Sequence, residues 1–134
     1  MQKRTPLSRT TKLVIAIAFI LYSAYNLVLT ALQDYVLFVS SDVGALGISF
    51  GIFTLAAVLS RFLSVWIIEK IDDILALIIG NVILTITLGF YPLAMSVTSV
   101  YIIRALQGFG WALSTVTILT IIVENTNSEQ VSKA

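Results

Sequence analysis

Apolar residues run along this chain in long blocks, broken at only a few places by charge. Residues 13–33 and 74–103 carry no charge at all, and residues 43–68 are interrupted only by Arg61. About 20 residues of helix cross a hydrocarbon core of about 30 Å, so each block is long enough to span a membrane. A first span is predicted over 13–35. A second runs over 43–68, opened by Ser40-Ser41-Asp42 as an N-cap and anchored toward its far end by Trp66. The thirty uncharged residues of 74–103 exceed one helix. They divide at Pro92, which cannot donate within a helix, and at the turn-like Met95-Ser96-Val97-Thr98-Ser99. A third span over 74–93 and a fourth over 97–123 follow. The expected organisation is a basic N-terminal segment over 1–12, an all-α bundle of four transmembrane helices over 13–124, and a polar tail over 125–134.

Polar residues inside the spans narrow the picture, because a polar group facing lipid is costly. Tyr22, Asn26, Thr30 and Gln33 recur at helical spacing and form one stripe on the first span. Arg104, Gln107, Trp111, Ser114 and Thr115 do the same on the fourth. Such stripes either face an aqueous cavity or hydrogen-bond between helices, the latter worth about 0.6 kcal/mol per contact. Arg104 favours the cavity: a guanidinium keeps its charge, and an arginine at a helix centre costs roughly 2.5–3.5 kcal/mol unless a counter-charge, carbonyls or water surround it. Gly47-Ile-Ser-Phe-Gly51 has the small-xxx-small spacing that lets two membrane helices approach closely, whether in a dimer or within one fold.

Composition agrees. With 58% hydrophobic and 11% charged residues, the 134-residue chain has too few polar groups to wrap a water-soluble domain. A net charge of +1 with no basic stripe gives no nucleic-acid footprint. Cysteine and histidine are both absent, which removes disulfides, thiolate and imidazole metal ligands and the commonest general base. No nucleophile–base pair or phosphate-binding loop appears, so an enzyme is not expected, and no cofactor is called for. Lys3, Arg4, Arg9 and Lys12 precede the first span. The connections 34–42 and 93–99 hold no Lys or Arg, whereas the other side holds Lys70 and Lys133. By the positive-inside rule both termini are predicted on the cytoplasmic side.

Arg104-Ala-Leu-Gln107-Gly108-Phe-Gly110-Trp-Ala112, placed in the fourth span of an N-inside chain, resembles the fourth-helix motif of the major facilitator superfamily. Residues 51–64 resemble the stretch before that superfamily's cytoplasmic signature between helices two and three. Around it stand Arg61, Val65, Glu69, Lys70, Asp72 and Asp73, with Val65 and Asp72 where the family has glycines and Asp73 where it has a base. On its own, residues 69–73 would read as a solvated turn.

The resemblance implies the first four helices of a six-helix half, roughly a third of an architecture of two such halves built from three-helix repeats. It implies a secondary transporter in the plasma membrane, moving a small organic solute by alternating access, here as an N-terminal fragment or truncated form. Arg104, Gln107, Trp111, Asn26 and Tyr22 would line the pathway. Gly47, Gly51, Gly108 and Gly110 would allow close helix packing, and Arg61, Glu69, Lys70, Asp72 and Asp73 would form the cytoplasmic gate loop. The partners implied are the lipid bilayer, the solute, a coupling proton or ion, and a missing C-terminal half or a second copy. Asp34 is the one acid at the end of the first span, and as a coupling group it competes with a simple solvated helix end. Two other readings stay open. One is a four-helix protein resembling the small multidrug resistance exporters, which work as dimers but carry a first-helix glutamate that this chain lacks. The other is a membrane scaffold or remnant that transports nothing.

Overall fold

A computed structural model describes residues 9–131, with side chains described through residue 125. It is all-α: α1 (Arg9–Ser40), α2 (Val43–Ile68), α3 (Asp73–Gly89), a 3-10 turn (Tyr91–Leu93) and α4 (Val97–Val131). Four helices are long and apolar enough to cross a membrane. The expected basic residues Lys3, Arg4 and Lys133 lie outside the described residues, while Arg9 and Lys12 sit in the first turn of α1.

α1 and α4 overrun their apolar spans, whereas α2 keeps the expected bounds and α3 stops at Gly89. The connection expected over 34–42 shrinks to Ser41 and Asp42. Ser41 turns the chain with a left-handed backbone at φ 53°. The Asp42 carboxylate then accepts the Gly44 N–H at 2.8 Å and starts α2. Asp72 does the same for α3, accepting from Ile74 N–H at 3.1 Å. At the far end α4 continues to Val131, so most of the expected polar tail is helical. The break at Pro92 is where the sequence placed it, with α3 ending at Gly89 and Pro92 inside the 3-10 turn. Tyr35 of α1 secures the break, its hydroxyl lying 2.6 Å from the Tyr91 carbonyl and 2.8 Å from that of Ala94.

α4 is the central element, packed most extensively on α2, then α3, then α1. Its apolar window is 61% buried, against 6% for α1. Glycine makes this possible at two crossings. A Cβ on Gly108 would come within 2.6 Å of the Phe53 carbonyl oxygen of α2, and one on Gly110 within 3.0 Å of the Gly80 carbonyl oxygen of α3. Gly47 and Gly51 make no such approach to another described helix: a Cβ at either meets nothing within 4 Å. The spacing is right, but that face of α2 points away from the other described helices. Outward-facing side chains such as Phe19, Leu27, Phe62 and Leu119 are apolar, as a lipid-facing surface requires.

Gly108→Leu drives a side chain into the α2 backbone and is expected to destabilise the bundle by about 1–3 kcal/mol or more. Gly47→Leu is expected to leave it unchanged. Thermal unfolding of the detergent-solubilised variants followed by circular dichroism checks the contrast.

Candidate functional site

Arg104 stands seven residues into α4, about 10 Å along the helix at 1.5 Å per residue. It is completely buried, and Gln107 and Trp111, one and two turns further on, are 2% and 9% exposed. The expectation of a charge lining open space therefore meets a charge enclosed by protein. Arg104 Nη1 donates to Gln107 Oε1 at 3.0 Å, and the Tyr91 hydroxyl donates to the same oxygen at 2.8 Å. Because the guanidinium can only donate, the oxygen of the Gln107 amide has to face it. The Phe53 ring lies 4.5 Å from the guanidinium carbon and the Phe50 ring 5.3 Å, so two quadrupoles from α2 supply part of the missing negative field.

No carboxylate meets this cation among the described residues. Nε and Nη2 are buried without any hydrogen-bond partner. The hydroxyls of Tyr25 and Tyr91 lie against the guanidinium and interact with it, though neither makes a well-directed hydrogen bond to those two atoms. A buried N–H left unpaired costs about 1–3 kcal/mol, more on a charged group. The four-helix chain on its own thus solvates only part of Arg104.

An aromatic cluster continues from Arg104 toward α1. Tyr25 packs on Trp111 at 4.3 Å between ring centroids and stacks on Phe53 at 5.3 Å. Tyr22 meets Trp111 edge-on at 4.9 Å. Beside this cluster, between α1, α3 and α4, is a cavity of about 130 Å³ lined in part by Tyr25, Asn81, Thr85, Gln107 and Trp111. Gln107 is the link: its oxygen holds Arg104, and the residue also lines the cavity.

The first-span stripe divides. Tyr22 joins the cluster through Trp111, but Asn26, Thr30 and Gln33 are exposed on α1. The Asn26 amide donates back to the Tyr22 carbonyl at 2.7 Å, and the Thr30 hydroxyl to the Asn26 carbonyl at 3.4 Å. These are bonds within one helix, so Asn26 and Thr30 do not tie α1 to the other described helices. On the fourth span the Thr115 hydroxyl likewise bonds its own helix at Trp111, and the Ser114 hydroxyl is buried without a partner at the crossing with Gly80.

The loop residues do local work. Asp72 caps α3, and Asp73 sits in its first turn, where the helix dipole favours a negative charge. Glu69 ends α2, its backbone N–H held by the Val65 carbonyl at 3.1 Å. The Lys70 ammonium rests 3.6 Å above the Trp66 ring. Arg61 is exposed on α2, and no hydrogen bond or ion pair joins it to these acids among the described residues.

Tyr25, Phe50, Phe53, Tyr91 and Asn81 belong to the site and were not singled out from the sequence. Asn81, the one amide in an otherwise uncharged third span, carried a readable signal. Tyr91 carried none, since it meets Gln107 only because the chain reverses at Pro92. Comparison of the chain with protein-family models, with curated proteins and with solved structures finds no match.

Gln107→Leu removes the one acceptor of both Arg104 and Tyr91 and is expected to cost about 1.5–3 kcal/mol, the range for hydrogen bonds to charged groups. Tyr91→Phe removes only the neutral bond and should cost about 1 kcal/mol. Equilibrium unfolding in detergent measures the order; equal losses would contradict the dominance of the Arg104 bond.

Proposed function

We propose that this chain is part of a secondary transporter of the major facilitator type, with both termini on the cytoplasmic side of the cell membrane, moving a small organic solute through a pathway walled by α1 and α4. The observation that carries the reading is the exposed polar face of α1. Asn26 and Thr30 lie in the middle of a membrane helix and bond only within it, while Tyr22 on the same stripe touches Trp111 of α4. Lipid is a poor neighbour for that face, and water or a facing helical half is a good one. The motif residues of α4 support the same reading, each with a distinct place: Arg104 and Gln107 in a buried polar pair, Gly108 against α2 and Gly110 against α3. In the superfamily's architecture a second half faces helices one and four, and rocking of the halves exposes the site alternately. Arg104 acts on a coupling ion through its positive charge.

The sealing of Arg104 favours a second reading, a membrane bundle in which Arg104, Gln107 and Tyr91 form a structural polar knot and nothing is carried.

The chain's lack of cysteine makes the test direct. Single cysteines replace Asn26, Thr30 and, as a control, the exposed apolar Leu27. They are exposed to a membrane-impermeant maleimide with the protein in its native membrane. Labelling at 26 and 30 on the order of tenfold faster than at 27 is expected, since maleimide chemistry needs a hydrated thiolate. Equal, slow labelling at all three positions gives the structural reading instead.

A further inference from the structure

Arg104 has two kinds of nitrogen in this structure. Nη1 is engaged by Gln107, whereas Nε and Nη2 have no partner although the residue is fully buried. Those two atoms form the same edge of the guanidinium, where two parallel N–H groups match the two oxygens of a carboxylate. The unpartnered positions are therefore a complete fork.

None of the chain's own acids can fill it. All seven stand at or beyond the ends of the apolar spans. Asp34, the nearest along α1, lies beside Tyr35, whose hydroxyl bonds the outer α3–α4 connection, so it sits toward the membrane surface from Arg104. A second copy of the chain in the same orientation would bring its acids to the same levels. An anion at this edge therefore comes from outside the four described helices.

We infer, resting on the transport reading, that the Nε–Nη2 edge of Arg104 is the recognition fork for a carboxylate, and that the solute is a small monocarboxylate with an apolar or aromatic body. The surroundings select that class. Phe50, Phe53, Tyr25 and Trp111 offer ring faces and little hydration, which suits a singly charged carboxylate far better than a strongly hydrated phosphate. Tyr25, whose hydroxyl lies close to the guanidinium, also lines the α1–α3–α4 cavity. Rotation of the half-buried Tyr25 ring joins cavity and fork, so the ligand body occupies the cavity while its carboxylate meets Arg104.

Trp111 reports the event. Trp66→Phe leaves Trp111 as the sole tryptophan of the two. This protein, in lipid nanodiscs, is titrated with 4-nitrobenzoate and with its neutral isostere 4-nitrobenzamide, and Trp111 quenching is followed. Saturable quenching by the carboxylate at least tenfold tighter than by the amide is expected, and Arg104→Gln should bring that preference to about one. Equal quenching by the two ligands overturns the fork, as does quenching that rises linearly with concentration, the mark of partition into lipid. A preference that survives Arg104→Gln overturns it too. The isostere comparison needs no change at Arg104, so poor folding of that variant does not shelter the inference. Cysteine labelling at positions 26 and 30 separates the two readings: fast labelling without a carboxylate preference overturns the fork and leaves transport, whereas a carboxylate preference without labelling supports the fork and removes the pathway.

Discussion

The guanidinium of Arg104 has to be solvated inside an apolar bundle, and much of the arrangement around it follows from how that is done. An arginine near a helix end could extend its side chain toward the headgroups. Arg104 instead faces inward from the most buried helix and takes its polar contacts from three sources: the amide oxygen of Gln107 one turn on, the rings of Phe50 and Phe53 on α2, and the dipoles of the nearby tyrosines. Gln107 is the pivotal member. Its single oxygen accepts from both Arg104 and Tyr91, and so couples the charge on α4 to the turn that ends α3. Tyr35 holds the other side of that turn from α1. Three helices are thereby connected through side chains to one charge.

That enclosure requires close helices, and glycine supplies the distance. Gly108 faces α2 at the level of Phe53, four residues from Arg104, so the crossing that brings the α2 backbone close also brings the Phe53 ring over the guanidinium. Gly110 faces the opposite way, toward Gly80 of α3. Two glycines two residues apart therefore serve two different neighbours, which places α4 between α2 and α3 rather than beside one of them. α1 is left with the lightest packing, and its polar stripe stays outside the enclosed cluster except at Tyr22. Tight packing around the charge and a loosely covered polar face on α1 are two sides of one arrangement.

What could be read from the sequence was what local chemistry decides. Charge-free blocks gave the four spans because hydrocarbon tolerates little else, and Pro92 gave the break because it removes a donor. Arg104 and Gln107 were legible as a pair from their spacing on one helix face. Helix limits were less legible. Ser41 closes the first turn with a left-handed backbone and Asp42 immediately caps the next helix, so the polar residues before them remain helical. Which glycines pack was not legible at all. Gly47 and Gly51 have the right spacing and face away, while Gly80, with no glycine at that spacing, lies under Ser114 and Gly110. Spacing defines a helix face, and only the tertiary arrangement decides what that face meets. Tyr91 and Phe53 were out of reach for the same reason: each meets Arg104 or Gln107 across a chain reversal.

The connection between α2 and α3 follows the opposite rule, with each charge used close to home. Asp72 and Asp73 both act on the start of α3, one as N-cap and one in the first turn beside the positive end of the helix dipole. A glycine at position 72 could not accept the Ile74 N–H through a side chain, and a base at 73 would oppose the dipole. Lys70 lies over Trp66 in the last turn of α2, and among the described residues no ion pair joins Arg61 to an acid. The charges of this loop are used where they stand, and they fix where α3 begins. The charge left with an open donor edge among the described residues is that of Arg104, buried in α4.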